Sequence, residues 1–181
     1  CALPILNDLH VDTGIDEHVA FPFTSRDEHL ASQYLESEDL KKYQYFCFHD
    51  RTHNYKLMQS EVVGSKYSDS EHFEQARNTS LGLLYPCAEL MLTKGLQSVR
   101  LGACPEQPVT VDFIKDYASN RSDQNDFSDL ALMNYCKFFV GPNSGIWFFA
   151  RSFNRPICLV NVFPSPWINV PMSRDSVVIP K

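Results

Sequence analysis

Apolar and polar positions along most of the chain predict strands and helices in turn. Short aromatic and β-branched runs, typical of buried strands, lie at 43–48, 96–101, 109–111, 138–140, 157–160 and 176–179. Apolar residues recur at helical spacing within 84–96, 128–135 and 146–153. Strands that alternate with helices form βαβ units, so the pattern predicts an α/β domain with a parallel sheet.

The first 40 residues have no clear hydrophobic period and are rich in acidic side chains. One short helix is expected at 27–37, where Leu30 and Leu35 fall near one face. Because this segment would bury little by itself, we expect residues 1–40 to be a linker or the tail of a preceding domain. The folded domain is then 41–181. The chain stops within an apolar extended run, so we expect this domain to be truncated at its C-terminus.

Composition narrows the class of protein. Hydrophobic residues make up 44% and aromatic residues 13% of the chain, enough for a core. The net charge of −6, without a lysine or arginine cluster, argues against a nucleic-acid surface. Six cysteines without a C-x-x-C pair are typical of reduced thiols in a cytoplasmic protein, and no metal site is indicated. No apolar run approaches the roughly 20 residues of a membrane span.

Three chemically active side chains, His49, Asp50 and Arg51, directly follow the strand at 43–48. The carboxyl edge of a parallel sheet is where α/β proteins bind ligands. Arg51 can hold a phosphate through its planar fork of donors, and His49 or Asp50 can orient it or transfer a proton. A solvated loop is the alternative. A metal site at His49 and His53 would lack a further clustered ligand.

A turn of small residues at 141–145 follows another predicted strand. Asn143 or Ser144 is expected to cap the helix at 146–153, and Gly145 to let the backbone approach a ligand. The N-terminus of that helix would favour an anion, commonly a phosphate. Neither a Walker lysine motif nor G-x-G-x-x-G occurs in the sequence, so the turn could also be only a connection.

Three carboxylates, Asp123, Asp126 and Asp129, lie within seven positions of each other. They could recognise a base or a ribose hydroxyl, or they could serve as caps and turn formers, which is the commoner role of aspartate. Ser128 or Asp126 is expected to cap the helix that follows.

Several of these stretches, taken in order, resemble a family of bacterial glycosyltransferases: Phe-Cys-Phe-His-Asp-Arg, Gly-Leu-Gln-Ser-Val-Arg-Leu-Gly, Lys-Phe-Phe-Val-Gly-Pro-Asn-Ser-Gly and Arg-Pro-Ile-Cys-Leu-Val-Asn. That family is distantly similar to the GT-B fucosyltransferases, which include protein O-fucosyltransferases and nodulation fucosyltransferases. The resemblance covers roughly residues 43–181. It implies a Rossmann-like parallel sheet with helices on both faces, the C-terminal, donor-binding half of a GT-B architecture.

The resemblance also implies a metal-independent activity without a cofactor. A sugar would pass from a nucleoside diphosphate, such as a GDP-sugar, to the hydroxyl of a glycan or other acceptor. In the fucosyltransferases a His-x-Arg element holds the donor diphosphate, and His49-Asp50-Arg51 matches it. Arg51 and the helix N-terminus after the turn would stabilise charge on the leaving phosphate, as a metal ion otherwise does. His49 and Asp50 are the candidate catalytic bases.

Further donor contacts follow from the same resemblance and from position at strand ends. We assign to donor binding Arg100, Gly102, Asp123, Asp126, Asp129, Asn143, Ser144 and Gly145. A glycosyltransferase requires Arg51, Ser144 and one of the three aspartates to face one cleft. The alternative is a non-catalytic α/β module that binds a phosphorylated or carbohydrate ligand or a protein partner, and it permits these groups to scatter.

Overall fold

The computed structural model describes residues 22–52, 54, 76–120, 125–162 and 175–181. Its complete helices are α1 (Ser25–Ser37), α2 (Tyr85–Thr93), α3 (Asp126–Tyr135) and α4 (Trp147–Ser152). Its strands are β1 (Tyr45–His49), β2 (Gln97–Leu101), β3 (Ile114–Lys115), β4 (Phe139–Gly141), β5 (Ile157–Val162) and β6 (Val177–Pro180). Short 3-10 helices occupy Leu81–Leu83 and Tyr117–Ser119.

The strands form one parallel sheet in the order β3-β2-β1-β4-β5-β6. Strand β1 pairs with β2 on one side, where Cys47 is opposite Val99, and with β4 on the other, where Cys47 is opposite Phe139. The order of the strands along the chain therefore reverses between β1 and β4. In open α/β sheets the crevice outside the carboxyl ends of the strands at this reversal is the usual ligand site.

Helices cover both faces of the sheet because successive side chains of a strand point to opposite sides. Tyr45 and Cys47 of β1 lie in a core cluster with residues of α1, α3 and α4. Phe46 and Phe48 lie in a second cluster with Ala88 of α2. These four β1 side chains are all buried, which accounts for the unbroken aromatic run in the sequence. The structure confirms the predicted Rossmann-like α/β fold.

Helix α1 belongs to the core, which corrects the linker prediction for this part of the chain. Thr24 and Asp27 form a capping box at its start: the Asp27 amide donates to Thr24 Oγ1 (3.2 Å), and the Thr24 amide donates to Asp27 Oδ2 (3.0 Å). Ala31 and Leu35 are buried among residues of α3 and β1, whereas Leu30 is 40% exposed. A small alanine at the centre of the interface is a weak hydrophobic signal. Residues 1–21 lie outside the described part.

Two further predictions of elements were wrong in detail. The expected strand at 109–111 is not a strand, and β3 forms at Ile114–Lys115 instead. Leu92 is one of the apolar residues at helical spacing within 84–96, yet it is 49% exposed, and the helix turns the fully buried Ala88 to the sheet. Tertiary packing decides such positions, and spacing alone does not reveal it.

The start of α3 also differs from the expectation. Asn125 is the cap, since its Oδ1 accepts the Ser128 amide at 2.8 Å, while Asp126 and Ser128 lie within the first turn. Among the described helices, none is long and apolar enough to cross a membrane. The cysteines in the described part carry free thiols: Cys47, Cys87, Cys104, Cys136 and Cys158.

We predict that Leu35→Ala lowers the free energy of unfolding by about 2 to 4 kcal/mol, because it removes a buried side chain and leaves a cavity. Leu30→Ala, in the same helix but exposed, is the matched control and should cost less than about 1 kcal/mol. Urea denaturation monitored by circular dichroism measures both values. Equal values would mean that α1 does not contribute to the core in solution.

Candidate functional site at the carboxyl edge of the sheet

A cavity of about 570 Å³ lies at the carboxyl edge of the sheet, where the strand order reverses. Its walls come from the segments that follow β1, β2 and β4, together with α3 and α4. We call it the edge cavity. It is lined by His49, Asp50, Arg51, Thr52, Arg77, Leu101, Gly102, Ala103, Cys104, Pro105, Ala118, Asp129, Met133, Ser144, Gly145, Ile146 and Phe149.

Three groups from distant parts of the sequence meet in this cavity. Arg51 follows β1, Ser144 follows β4, and Asp129 lies in the first turn of α3. These are the groups that a single cleft had to contain for a glycosyltransferase. They converge because the parallel strands that precede two of them end at the same edge of the sheet.

Arg51 is held at the cavity wall by its neighbours. It is largely buried, its Nη1 donates to Asn78 Oδ1 (3.1 Å), and its carbonyl oxygen accepts the Thr79 amide (3.0 Å). Asn161, at the end of β5, donates from Nδ2 to Asn78 O (2.7 Å) and to Thr79 Oγ1 (3.1 Å). Arg51 is thus fixed through a frame that joins the ends of β1 and β5.

A second arginine, Arg77, lines the same cavity and was not predicted as a site residue. Its Nη2 donates to the carbonyl oxygen of Asn143 at 3.0 Å, which ties it to the turn after β4. No motif in the sequence singles out Arg77. Its place in the cavity depends on the contact with Asn143, and no local pattern encodes that contact.

Asp50 and Arg100 form a buried ion pair that neither strand pattern predicted. Arg100 Nε donates to Asp50 Oδ1 and Nη2 donates to Asp50 Oδ2, each at 2.7 Å. Arg100 Nη1 donates to Gln107 O (2.8 Å) and lies 3.3 Å from Asp116 Oδ1. Burial alone lowers the pKa of Arg100, but the two carboxylates outweigh it and the pKa is raised.

This ion pair changes the interpretation of both residues. Arg100 is fully buried and is not part of the cavity lining, so its position does not support the donor-binding role expected from the sequence. Asp50 lines the cavity, yet both of its oxygens accept bonds from Arg100. A carboxylate held in this way is a poor catalytic base, since proton uptake would break a bidentate pair.

His49 is a better candidate for proton transfer. Its Nδ1 lies 2.9 Å from the carbonyl oxygen of Leu101, which can only accept, so Nδ1 carries the proton. Burial lowers the pKa of His49, although the contact with Leu101 and the nearby Asp50 charge raise it in part. The ring is therefore neutral near pH 7, and its Nε2 is an acceptor.

Gly102 packs against this imidazole. Its φ of +145° lies in the region that favours glycine, and a Cβ built there would stand 3.1 Å from His49 Nδ1. Gly102 therefore shapes the wall of the cavity through its lack of a side chain.

The turn at 141–145 differs from the prediction in its helix cap and in the length of the helix that follows. Helix α4 begins at Trp147 with Ile146 at its cap position and without a side-chain cap bond, because Asn143 Oδ1 accepts the Trp147 indole N–H at 3.2 Å instead. Since α4 has six residues, its dipole is small. Gly145 lines the cavity in open space, so a side chain there would meet no atom within 4 Å.

Ser144 presents a hydroxyl to this cavity. Its Oγ is buried and hydrogen-bonds to none of the residues that the structure describes. A buried hydroxyl needs a partner, and a ligand oxygen could supply one.

The three candidate aspartates separate in the structure. Asp129 lines the cavity, and burial raises its pKa while Tyr117 lowers it in part. Asp126 is exposed and is not part of the cavity lining. Asp123 and the candidate metal ligand His53 lie outside the described residues. Within the described part of the chain, no group of three or more potential metal ligands is brought together.

Comparison with known proteins gives one informative likeness. No protein-family model and no curated protein sequence matches the chain. The solved structure of E. coli ADP-heptose LPS heptosyltransferase II, a GT-B glycosyltransferase, is similar with a TM-score of 0.56 and 16% identity. The match covers 88% of this chain and 44% of that one, so the chain spans less than half the length of its neighbour. At this identity the shared property is the fold.

We predict that Gly102→Ala lowers the free energy of unfolding by about 1 to 3 kcal/mol, because the new methyl group strains the backbone and displaces His49. Gly145→Ala is the matched control and should change stability by less than about 1 kcal/mol, since it meets open space. Thermal or urea unfolding compares the two. A harmless Gly102→Ala would show that the wall of the cavity adapts.

We also predict that His49 makes stability fall on acidification. The folded protein holds its pKa below the ordinary value of 6.5, so the unfolded chain binds more protons in that range. The stability that depends on a neutral His49 is fully present above pH 6.5. It is lost as the pH falls through the pKa that His49 has in the folded protein. His49→Asn, whose amide can replace Nδ1–H, should show a smaller loss between about pH 8 and pH 5. Equal losses in both proteins would assign the effect to other groups.

Proposed function

We propose that the chain is the donor-binding half of a GT-B glycosyltransferase and that the edge cavity binds a nucleoside diphosphate sugar. The observation that carries this proposal is the convergence of Arg51, Ser144 and Asp129 in one cavity at the reversal of the strand order. The likeness in fold to part of a heptosyltransferase supports the same class of reaction.

We assign two guanidinium groups of the cavity lining to the donor phosphates. Arg51 and Arg77 come from separate segments. Arg51 donates a hydrogen bond to Asn78, and Arg77 donates one to the carbonyl oxygen of Asn143. Planar guanidinium groups bind phosphate oxygens with directed, charge-assisted bonds. The buried Ser144 hydroxyl lies in the same lining and is suited to a further phosphate oxygen.

Other residues of the lining suit a nucleoside. Met133, Ile146 and Phe149 contribute apolar surface, and Asp129 contributes a carboxylate. The Phe149 side chain is about half exposed, so it can pack on a base or a ribose that enters from solvent. An Asp129 carboxylate can accept hydrogen bonds from ribose hydroxyls or from N–H groups of a base.

In this proposal an acceptor hydroxyl attacks the anomeric carbon of the donor, and the bond from that carbon to the diphosphate breaks. Negative charge grows on the leaving diphosphate, and Arg51 and Arg77 stabilise it more in the transition state than in the ground state. The acceptor must lose a proton. The neutral His49 can take it on Nε2, since Nδ1 already donates to Leu101.

Two nucleotides are candidates for the nucleotide part of the donor. The fucosyltransferase resemblance favours a GDP-sugar, whereas the name of the structural neighbour refers to ADP-heptose. Calorimetric titration with GDP, ADP, UDP, dTDP and CMP separates these candidates. We expect one nucleoside diphosphate to bind selectively and CMP, with one phosphate, to bind more weakly. If none of the five nucleotides binds, the result favours the alternative, a non-catalytic module that binds another ligand.

We predict that Arg51→Ala weakens binding of the selected nucleoside diphosphate by about 2 to 4 kcal/mol, because a charge-assisted contact is lost. Arg26→Ala, which removes an exposed arginine of α1, is the matched control and should leave affinity within about 0.5 kcal/mol. Calorimetry gives the affinities, and circular dichroism checks folding. Unchanged affinity in the Arg51 variant would remove Arg51 from the site.

A further inference from the structure

Asp50 presents an electrostatic problem for the proposed function. Its carboxylate is 6% exposed and lines the cavity that is proposed to receive a diphosphate. Like charges a few ångströms apart in a partly buried site repel strongly. Asp50 and Arg51 line the same cavity, so an unpaired Asp50 carboxylate would place negative charge where the diphosphate is proposed to bind.

Arg100 supplies the compensating charge from outside the cavity. It lies on β2, one strand over from β1, is 0% exposed, and binds both oxygens of Asp50 through two bonds of 2.7 Å. This is the bidentate geometry that directs a carboxylate most firmly. Gln107 O and Asp116 hold the third nitrogen of Arg100, so the guanidinium is fixed from both sides.

We propose that Arg100 is a positioning residue of the donor site: it neutralises and orients the Asp50 carboxylate, so that the cavity can accept the negative charge of the donor diphosphate. The inference rests on the proposed function. It assigns Arg100 and Asp50, both expected from the sequence to touch the substrate, to a support that acts through the charge of the cavity.

Variants that remove one charge or both charges of the pair separate an electrostatic role of Arg100 from a purely structural one. Arg100→Met leaves Asp50 and Asp116 uncompensated, and Asp50→Asn removes the carboxylate in the cavity and keeps Arg100. The double variant leaves Asp116, which is not part of the cavity lining, as the unpaired carboxylate. Lys115→Met is the matched control, since Lys115 forms an ion pair with Glu38 (2.7 Å) and is not part of the cavity lining. Inorganic pyrophosphate and the selected nucleoside diphosphate serve as probes in calorimetry.

We predict that Arg100→Met weakens pyrophosphate binding at least about tenfold, because it leaves a buried charge that repels the ligand. Asp50→Asn should bind it a few-fold more tightly than the wild type, and the double variant should return to within about threefold of wild type. Lys115→Met should change affinity less than about twofold. A purely structural role would instead make the double variant as poor as Arg100→Met.

The results of these titrations test the role of Arg100 and the proposed function separately. If Arg100→Met binds pyrophosphate like the wild type, or the double variant recovers nothing, the inference fails. If Arg100→Met does not fold by circular dichroism, Asp50→Asn alone decides, and weaker binding by that variant overturns the inference. Pyrophosphate binding without nucleotide binding would overturn the proposed function but not this role of Arg100. No binding of either probe by the wild type would overturn both.

Discussion

The architecture depends on the placement of β1 in the interior of the sheet. Its aromatic and sulfur side chains are buried on both faces, and its backbone pairs with β2 on one side and β4 on the other. Such a strand must be apolar throughout, and whatever follows it must emerge at the carboxyl edge. Polar residues directly after β1 are therefore delivered into the crevice between the two halves of the sheet, with no special loop needed to bring them there.

The sequence was most informative where a buried strand leads directly into chemistry. Strand β1 and the run His49-Asp50-Arg51 could be located together, because a short, unbroken aromatic run that ends in polar residues is typical of a strand buried on both faces. The same holds for β4 and Ser144. In both places one local pattern determines the strand and the position of the side chain, so the parallel arrangement is enough to predict that they meet.

Other parts depend on contacts that no local pattern records. Arg77 is held at the cavity by its bond to Asn143, which is 66 positions away in the chain. The partner of Arg100 is Asp50, which is 50 positions away in the chain. The sequence around either residue does not indicate this pairing. Helix α1 was missed as core because one of its two buried residues is the small Ala31, which gives a weak hydrophobic signal. Among neighbouring polar residues, spacing does not decide which one caps a helix, as Asn125 shows.

The buried pair of Asp50 and Arg100 has a consequence for how this sequence can diverge. Loss of Arg100 alone strands the buried Asp50 carboxylate, whereas loss of Asp50 leaves Arg100 with Asp116 as its partner. An aspartate at position 50 should therefore occur together with an arginine at position 100, even though the two lie on different segments of the chain. An exposed arginine such as Arg26 is under no such constraint and can change singly. Coupled variation at these positions would therefore indicate, from sequences alone, that β1 and β2 are neighbours in the sheet.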